Sequence, residues 1–196
     1  DPVMEKLINT TEFRQALAIA TDRDGFSEAF FQGMGYTRNM SPLPTHPFYL
    51  GEEYDTMWNY LDAPTANEML DALGLTAKDS SGFRLRPDGK GPITVEVACI
   101  TAYFADWCGM TDLLRAQWSE NAGIKVSPNP MDVSLFGSLR DDNKNMTFMY
   151  NIPAFLALAP YCVRAASCDL APAVGKWYES NGAEGVEPTG VLKLLG

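Results

Sequence analysis

The sequence predicts an α/β fold in which a mixed sheet is flanked by helices. Three observations point to it. Ile93, Val95 and Val97 alternate with Thr94 and Glu96, the two-residue period of a strand with one wetter face. Trp107, Met110, Leu114 and Trp118 then recur at helical spacing, with Leu113 widening the inner side. Ile124 with Val126, and Met146 with Phe148 and Tyr150, mark further strands on either side of another helical stretch. Strand, helix, strand, helix, strand is the order of an α/β unit.

Helices precede this sheet. Asn9 is placed to cap the first, with Glu12 reaching back. Phe13, Ala16, Leu17 and Ala20 fall at i, i+3, i+4 and i+7 and form one apolar stripe. Asp22 or Asp24 caps a second helix, whose buried face is expected to be Phe26, Ala29 and Phe30 and whose end is set by Gly33 and Gly35. Residues 36–61 read as a long irregular segment with Pro42, Pro44 and Pro47. Its aromatics Tyr36, Phe48, Tyr49, Tyr54, Trp58 and Tyr60 are expected to pin it to the domain. Asp62 caps a third helix, with Pro64 near its start where a missing N–H is harmless. Ala66, Met69, Leu70 and Leu73 supply its stripe, and Gly74 its stop.

Ser80-Ser81-Gly82 and Pro87-Asp88-Gly89 bracket the short run Phe83-Arg84-Leu85 with turn signals. The helix after the first strand is expected from about Phe104 to Trp118, and Asn121-Ala122-Gly123 stops it. Pro128 and Pro130 are expected to end the second strand and lead to Asp132, a cap for a helix with Leu135, Phe136 and Leu139 inward. The alanine-rich stretch 153–176 is expected to be partly helical, and Gly182 to Pro188 mostly turn. With no clean linker and no internal repeat, residues 1–196 read as a single α/β lobe.

Bulk properties narrow the function. A formal charge of −10 repels phosphate backbones and anionic headgroups, which argues against nucleic acid and against a basic membrane face. No apolar run reaches the length of a membrane span, so direct membrane insertion is not expected. Asp1-Pro2 opens an ordinary polar–apolar mix rather than a leader, as in a mature chain or an internal segment. Cys99, Cys108, Cys162 and Cys168 admit three full pairings; local bridges fit an exported protein, and free, partly buried thiols are the alternative. With one histidine, His46, and no C-x-x-C, no metal site or cofactor is expected.

The candidate chemistry sits where open α/β sheets hold ligands, at the carboxyl ends of strands. Beyond the first strand, Ile100 to Trp107 contains a threonine, two aromatics, an acid and an indole. Thr101, Tyr103 and Trp107 are therefore candidate ligand contacts, suited to peptide side chains or sugar rings. The competing reading turns Phe104 and Trp107 into the sheet core and makes Asp106 a helix cap; for Trp107 alone the core is favoured. Asp141-Asp142-Asn143 lacks the alternating oxygens and terminal glutamate of a calcium loop. No nucleophile elbow, phosphate loop or H-E-x-x-H appears, so no enzymatic activity is expected. A small hydrolase would have to use His46 with a serine and an acid. An interaction module would work through the 36–61 segment.

Several runs carry a resemblance. Phe13 to Arg23 matches F-R-x-A-L-x-x-A-x-D-R, and Ala63 to Leu75 resembles P-x-x-A-x-x-L-L-x-x-A-G, with Leu73 in place of alanine and Met69 in place of a leucine. Pro87-Asp88-Gly89-Lys90 precedes a strand, Leu114 to Val126 follows L-x-x-x-W-x-x-x-G-I-x-V, and Trp177-Tyr178 leads to Gly182 through Pro188. In this order the motifs resemble family 5 of the bacterial extracellular solute-binding proteins, the dipeptide- and oligopeptide-binding components of ABC importers. The resemblance implies a periplasmic-binding-protein-like second lobe only, with Asp1 and Gly196 near hinge crossovers. It implies capture of an oligopeptide, or alternatively an oligosaccharide, by closure of two lobes. Partners would be the importer's membrane subunits, and the location periplasmic or extracellular, with a lipid anchor at a missing N-terminus as one arrangement. Residues after the last strand commonly border the cleft in this family, which adds Tyr150 and Asn151 to the candidates; Asn151 offers both donor and acceptor.

Overall fold

A computed structural model describes residues 1–39, 44–45, 49–150, 172–190 and 193. The expectations for His46, Phe48, Asn151, Cys162, Cys168 and most of 153–176 lie outside those residues.

The chain opens on a helix the pattern did not announce, α1 (Pro2–Asn9), capped by the Asp1 carboxylate with Pro2 in its first turn. Asn9 is thus the end of one helix rather than the cap of the next. Thr10 starts α2 (Thr11–Ile19) without a side-chain cap, because its hydroxyl donates back to the Lys6 carbonyl. The expected stripe of α2 holds: Phe13, Ala16, Leu17 and Ala20 are all buried, joined by Ile19. Asp22, not Asp24, caps α3 (Arg23–Phe31) through the Gly25 N–H. The predicted inner face of α3 needs correction. Phe26 and Phe30 are half-buried and Ala29 is exposed, while Ser27 is buried and exchanges hydrogen bonds with the Gly35 backbone.

The described part of 36–61 contains one short helix, α4 (Glu52–Thr56). Polar contacts tie it more than rings do. Arg38 pairs with Asp55, Tyr49 donates to Asp55, and the Asn39 amide donates to the Tyr54 and Met57 carbonyls. Trp58 packs on the core, but Tyr36, Tyr54 and Tyr60 are exposed. α5 (Ala63–Ala72) follows, capped by Asp62 as expected, with Ala66 and Leu70 buried against α2.

β1 (Thr94–Ile100), β2 (Lys125–Met131) and β3 (Thr147–Met149) form a parallel sheet in the order β2-β1-β3. α6 (Trp107–Ala122) links β1 to β2, and α7 (Val133–Asp141) links β2 to β3. The connections lead to opposite sides of β1, so right-handed crossovers put the two helices on opposite faces. Side-chain alternation agrees. Val95 and Val97 join Leu114 of α6 in one buried cluster, while Ala98 and Ile100 join Phe136 of α7 in a second. β1 is therefore buried on both sides from Val97 to Ile100. Beyond residues the structure leaves undescribed, α8 (Pro172–Glu179) packs by α7, and 180–188 is turn and irregular, as expected.

Two further expectations are corrected. Pro128 and Pro130 do not end β2, which runs through both to Met131. Lys125 donates to β1, so the alternate positions 126, 128 and 130 turn their nitrogens to the outer edge, where proline removes no ladder bond. Leu135 of α7 is exposed, and Phe136 alone of the predicted trio is fully buried.

Candidate functional site

The strand ends Ile100, Met131 and Met149 lie at one edge of the sheet, the carboxyl edge. The segment 101–106 leaves β1 there and crosses to α6. Thr101 ties its start: the Thr101 N–H and hydroxyl both donate to the Met131 carbonyl, at 2.9 and 3.2 Å. Asp106 ties its end by accepting from the Gly109 N–H at 2.9 Å, so α6 begins at Trp107 rather than Phe104. Between them Ala102 sits at φ 52°, a left-handed conformation uncommon for a residue with a side chain and concentrated at functional sites. A disulfide joins Cys99 at the end of β1 to Cys108 in the first turn of α6.

This segment encloses an open pocket of about 490 Å³ lined by Ile100, Thr101, Ala102, Tyr103, Phe104, Ala105, Asp106 and Cys108. Tyr103 is 45% and Phe104 65% exposed, with ring centroids 4.7 Å apart. From them a chain of rings runs inward. Tyr103 stacks near Tyr150 at 6.2 Å, Phe104 meets Trp107 edge-on at 5.3 Å, and Trp107 and Phe136 flank Tyr150 at 5.6 and 5.3 Å. The exposed pair is thus the outer layer of an aromatic wedge rooted in the core.

Of the expected contacts, Thr101 and Tyr103 line the pocket beyond the end of β1. Tyr150 reaches the same ring group from the end of β3. Trp107, 7% exposed, lies beneath the exposed rings, and its Nε1 is buried without a hydrogen-bond partner. Asn151 and His46 lie outside the described residues. Phe104, left out of the candidate contacts and placed in the sheet core by the competing reading, faces solvent. An N-cap reading of Asp106 contains the signal, since it leaves Phe104 outside the helix. The sequence left the Cys99–Cys108 pairing open.

The lining carries hydroxyls, rings and one carboxylate, Asp106, already engaged by the helix. Such a surface holds a ligand by stacking, apolar contact and a few hydrogen bonds. Among the described residues no group of three or more His, Cys, Asp and Glu side chains is placed to hold a metal ion.

The family model for bacterial extracellular solute-binding proteins, family 5 Middle, matches residues 4–167. The chain belongs to the bacterial extracellular solute-binding proteins of family 5. Among solved structures it is similar to an oligopeptide-binding protein OppA, at 24% identity and a TM-score of 0.78 over 100% of this chain and 33% of that one. It is similar to a periplasmic oligopeptide-binding protein of an ABC transporter from Thermotoga maritima, solved with mannohexaose, at 21% identity and 0.66 over 88% and 36%. AppA from Bacillus subtilis, in complex with a nonapeptide, matches at 14% identity and 0.62 over 97% and 38%. Identities this low establish the fold alone. This family 5 chain spans between 33% and 38% of the length of these proteins. Comparison with curated protein sequences finds no match.

Proposed function

We propose that this family 5 chain is one lobe of a two-lobed solute-binding protein, and that its carboxyl-edge face captures an oligopeptide for an ABC importer. The observation that carries the reading is the Tyr103–Phe104 pair, exposed at an open pocket yet braced from below by Tyr150 and Trp107. Large rings held rigidly in solvent lose little conformational freedom when a ligand settles on them. The pocket is open, so a ligand resting on it keeps one side uncovered. A second lobe closing on that side would bury the ligand and supply the remaining affinity, with no bond made or broken. The protein would work outside the cytoplasmic membrane and hand its solute to the importer's membrane subunits. The family and the oligopeptide binders of the same fold support this assignment.

An oligosaccharide is the second reading. It is favoured by exposed aromatic faces beside the Thr101 and Tyr103 hydroxyls, the combination that suits a sugar ring, and by the mannohexaose held in the Thermotoga protein. Titration calorimetry on the full-length protein that carries this chain separates the two. The pentapeptide Ala-Leu-Phe-Leu-Ala is expected to bind, and mannohexaose is not. Binding of mannohexaose alone would overturn the peptide reading in favour of the sugar; heat from neither would overturn both.

A further inference from the structure

We propose that the Cys99–Cys108 disulfide is a positioning element of the ligand site, fixing the shape of the segment that forms the pocket rather than the fold as a whole. The inference rests on the reading of that pocket as a ligand site. Every residue lining the pocket lies between Ile100 and Cys108, inside the ring that the disulfide closes.

Both anchors are rigid. Cys99 is fully buried on β1, in register with Pro130 of β2 and Met149 of β3. Cys108 belongs to the first turn of α6, which Asp106 caps. Between the anchors the polar ties are at the ends: the two Thr101 bonds to Met131, the Asp106 cap, and the Trp107 N–H to the Ala105 carbonyl. The middle holds Ala102 in its left-handed conformation, with Tyr103 partly and Phe104 largely in solvent. There the described restraints on the backbone path are the ring contacts of Tyr103 and Phe104, and a left-handed alanine is maintained only where its surroundings impose it.

The span of the bridge separates local from global roles. A cross-link stabilises a fold by limiting the unfolded chain, and that gain grows with the length of loop enclosed. Cys99 and Cys108 are nine residues apart, a short loop in a chain of 196. The buried cluster that joins α2, α5, α6 and the sheet contains neither cysteine; in the second cluster Cys99 is buried and Cys108 packs against it from the start of α6. The larger consequence of the bridge is therefore to hold Tyr103 over Tyr150 and to keep the pocket mouth open.

The test compares the oxidised full-length protein with its Cys99→Ala/Cys108→Ala variant by hydrogen exchange, alongside calorimetry with Ala-Leu-Phe-Leu-Ala. Amides of 101–106 should exchange at least about tenfold faster in the variant while those of α2 and α5 keep their rates. Affinity for the pentapeptide should fall by about fivefold or more. Should the double variant not fold, Cys108→Ser alone, which leaves the buried Cys99 thiol in place, gives the same comparison. Unchanged exchange in 101–106, or acceleration spread evenly over the chain, would overturn the inference. So would a pentapeptide bound equally by both forms. Selective loosening of 101–106 in a protein that binds no pentapeptide in either form would uphold the positioning role and sink the peptide reading instead.

Discussion

Tyr103 and Tyr150 leave the sheet from different strands, yet their rings lie 6.2 Å apart and within 29° of parallel. Tyr103 follows β1, and Tyr150 follows β3, its hydrogen-bonded neighbour. The stack joins the exposed tip of the pocket segment to the part of the sheet braced by Phe136. Removing the inner ring should therefore disturb the outer one. An aromatic pair is worth about 0.5–1.5 kcal/mol beyond its buried area. If the proposed oligopeptide site is correct, Tyr150→Ala is expected to weaken pentapeptide binding by about 2- to 10-fold through loss of the braced Tyr103 position. Tyr150→Phe, which keeps the ring, should retain most of it. Calorimetry on both variants checks this; equal losses in both would assign the effect to the hydroxyl rather than to the stack.

Arg84 is a different kind of residue, a cation 1% exposed with every donor group engaged. Its Nε donates to the Ala122 carbonyl, its Nη1 to Leu75 O and Asp71, and its Nη2 to the Asn67 carbonyl and side chain. It thereby joins the ends of α5 and α6 to the turn ahead of β1. Asp71 is 52% exposed, so the ion pair itself is screened by water. The buried carbonyls matter more, because Arg84→Met would leave them unpaired at about 1–3 kcal/mol each. Arg84→Met is expected to lower stability by about 3–5 kcal/mol, and Asp71→Asn by less than about 1 kcal/mol. Urea titrations of the two variants measure the difference, and similar losses would place the energy in the ion pair.

What could be read from the chain follows what each residue type can do alone. The α2 stripe, the Asp62 cap, the Gly123 stop and the alternation into β1 are local signals, and each lies where the pattern puts it. The failures come from partners distant in sequence or from a local rule applied one position off. Asp1-Pro2 is a cap followed by a tolerated N1 proline, and the sequence reading places no helix there. Ser27 is buried in place of Ala29 because the turn after α3 brings the Gly35 backbone to it. Pro128 and Pro130 break a strand only if their nitrogens face a neighbour, and strand order decides that. At the candidate site, the place of Thr101 and Tyr103 in the pocket lining follows from the strand end. The bracing by Tyr150 needed the β1–β3 pairing, and the disulfide needed the distance between β1 and α6.

Acid should weaken the ion pairing that ties the end of α7 to α8. Asp142 follows α7 and accepts from Lys176 of α8 and from Lys144, and these bonds hold its carboxyl down at about 2 against an ordinary 3.8. The folded value is the lower one. The stabilisation is thus fully present above the ordinary value and is lost as pH falls through about 2. An NMR titration should find the Asp142 midpoint near the folded value, and Lys176→Ala should move it up toward 3.8. A midpoint unmoved by that substitution would show that Lys144 alone carries the shift.

Two glycines make opposite predictions from the same substitution. Gly123 ends α6 at φ 64°, and a Cβ there would lie 2.8 Å from the Gly82 carbonyl oxygen, which is backbone and cannot rotate away. The neighbouring Arg84 N–H donates to the Gly123 carbonyl, so moving either strand of this contact also strains the Arg84 anchor. Gly137 lies inside α7, and a Cβ added to it meets nothing within 4 Å. In a helix interior alanine is favoured over glycine by about 0.5–1 kcal/mol. Gly137→Ala is therefore expected to raise stability by about 0.5–1 kcal/mol. Gly123→Ala combines a left-handed conformation costing about 1–2 kcal/mol with a backbone clash, and is expected to lower stability by about 2–3 kcal/mol. Denaturant midpoints that shift in opposite directions would confirm the pair. A Gly123→Ala protein as stable as its parent would mean that the turn at Gly82 yields, and that the α6 terminus is held less tightly than its contacts require.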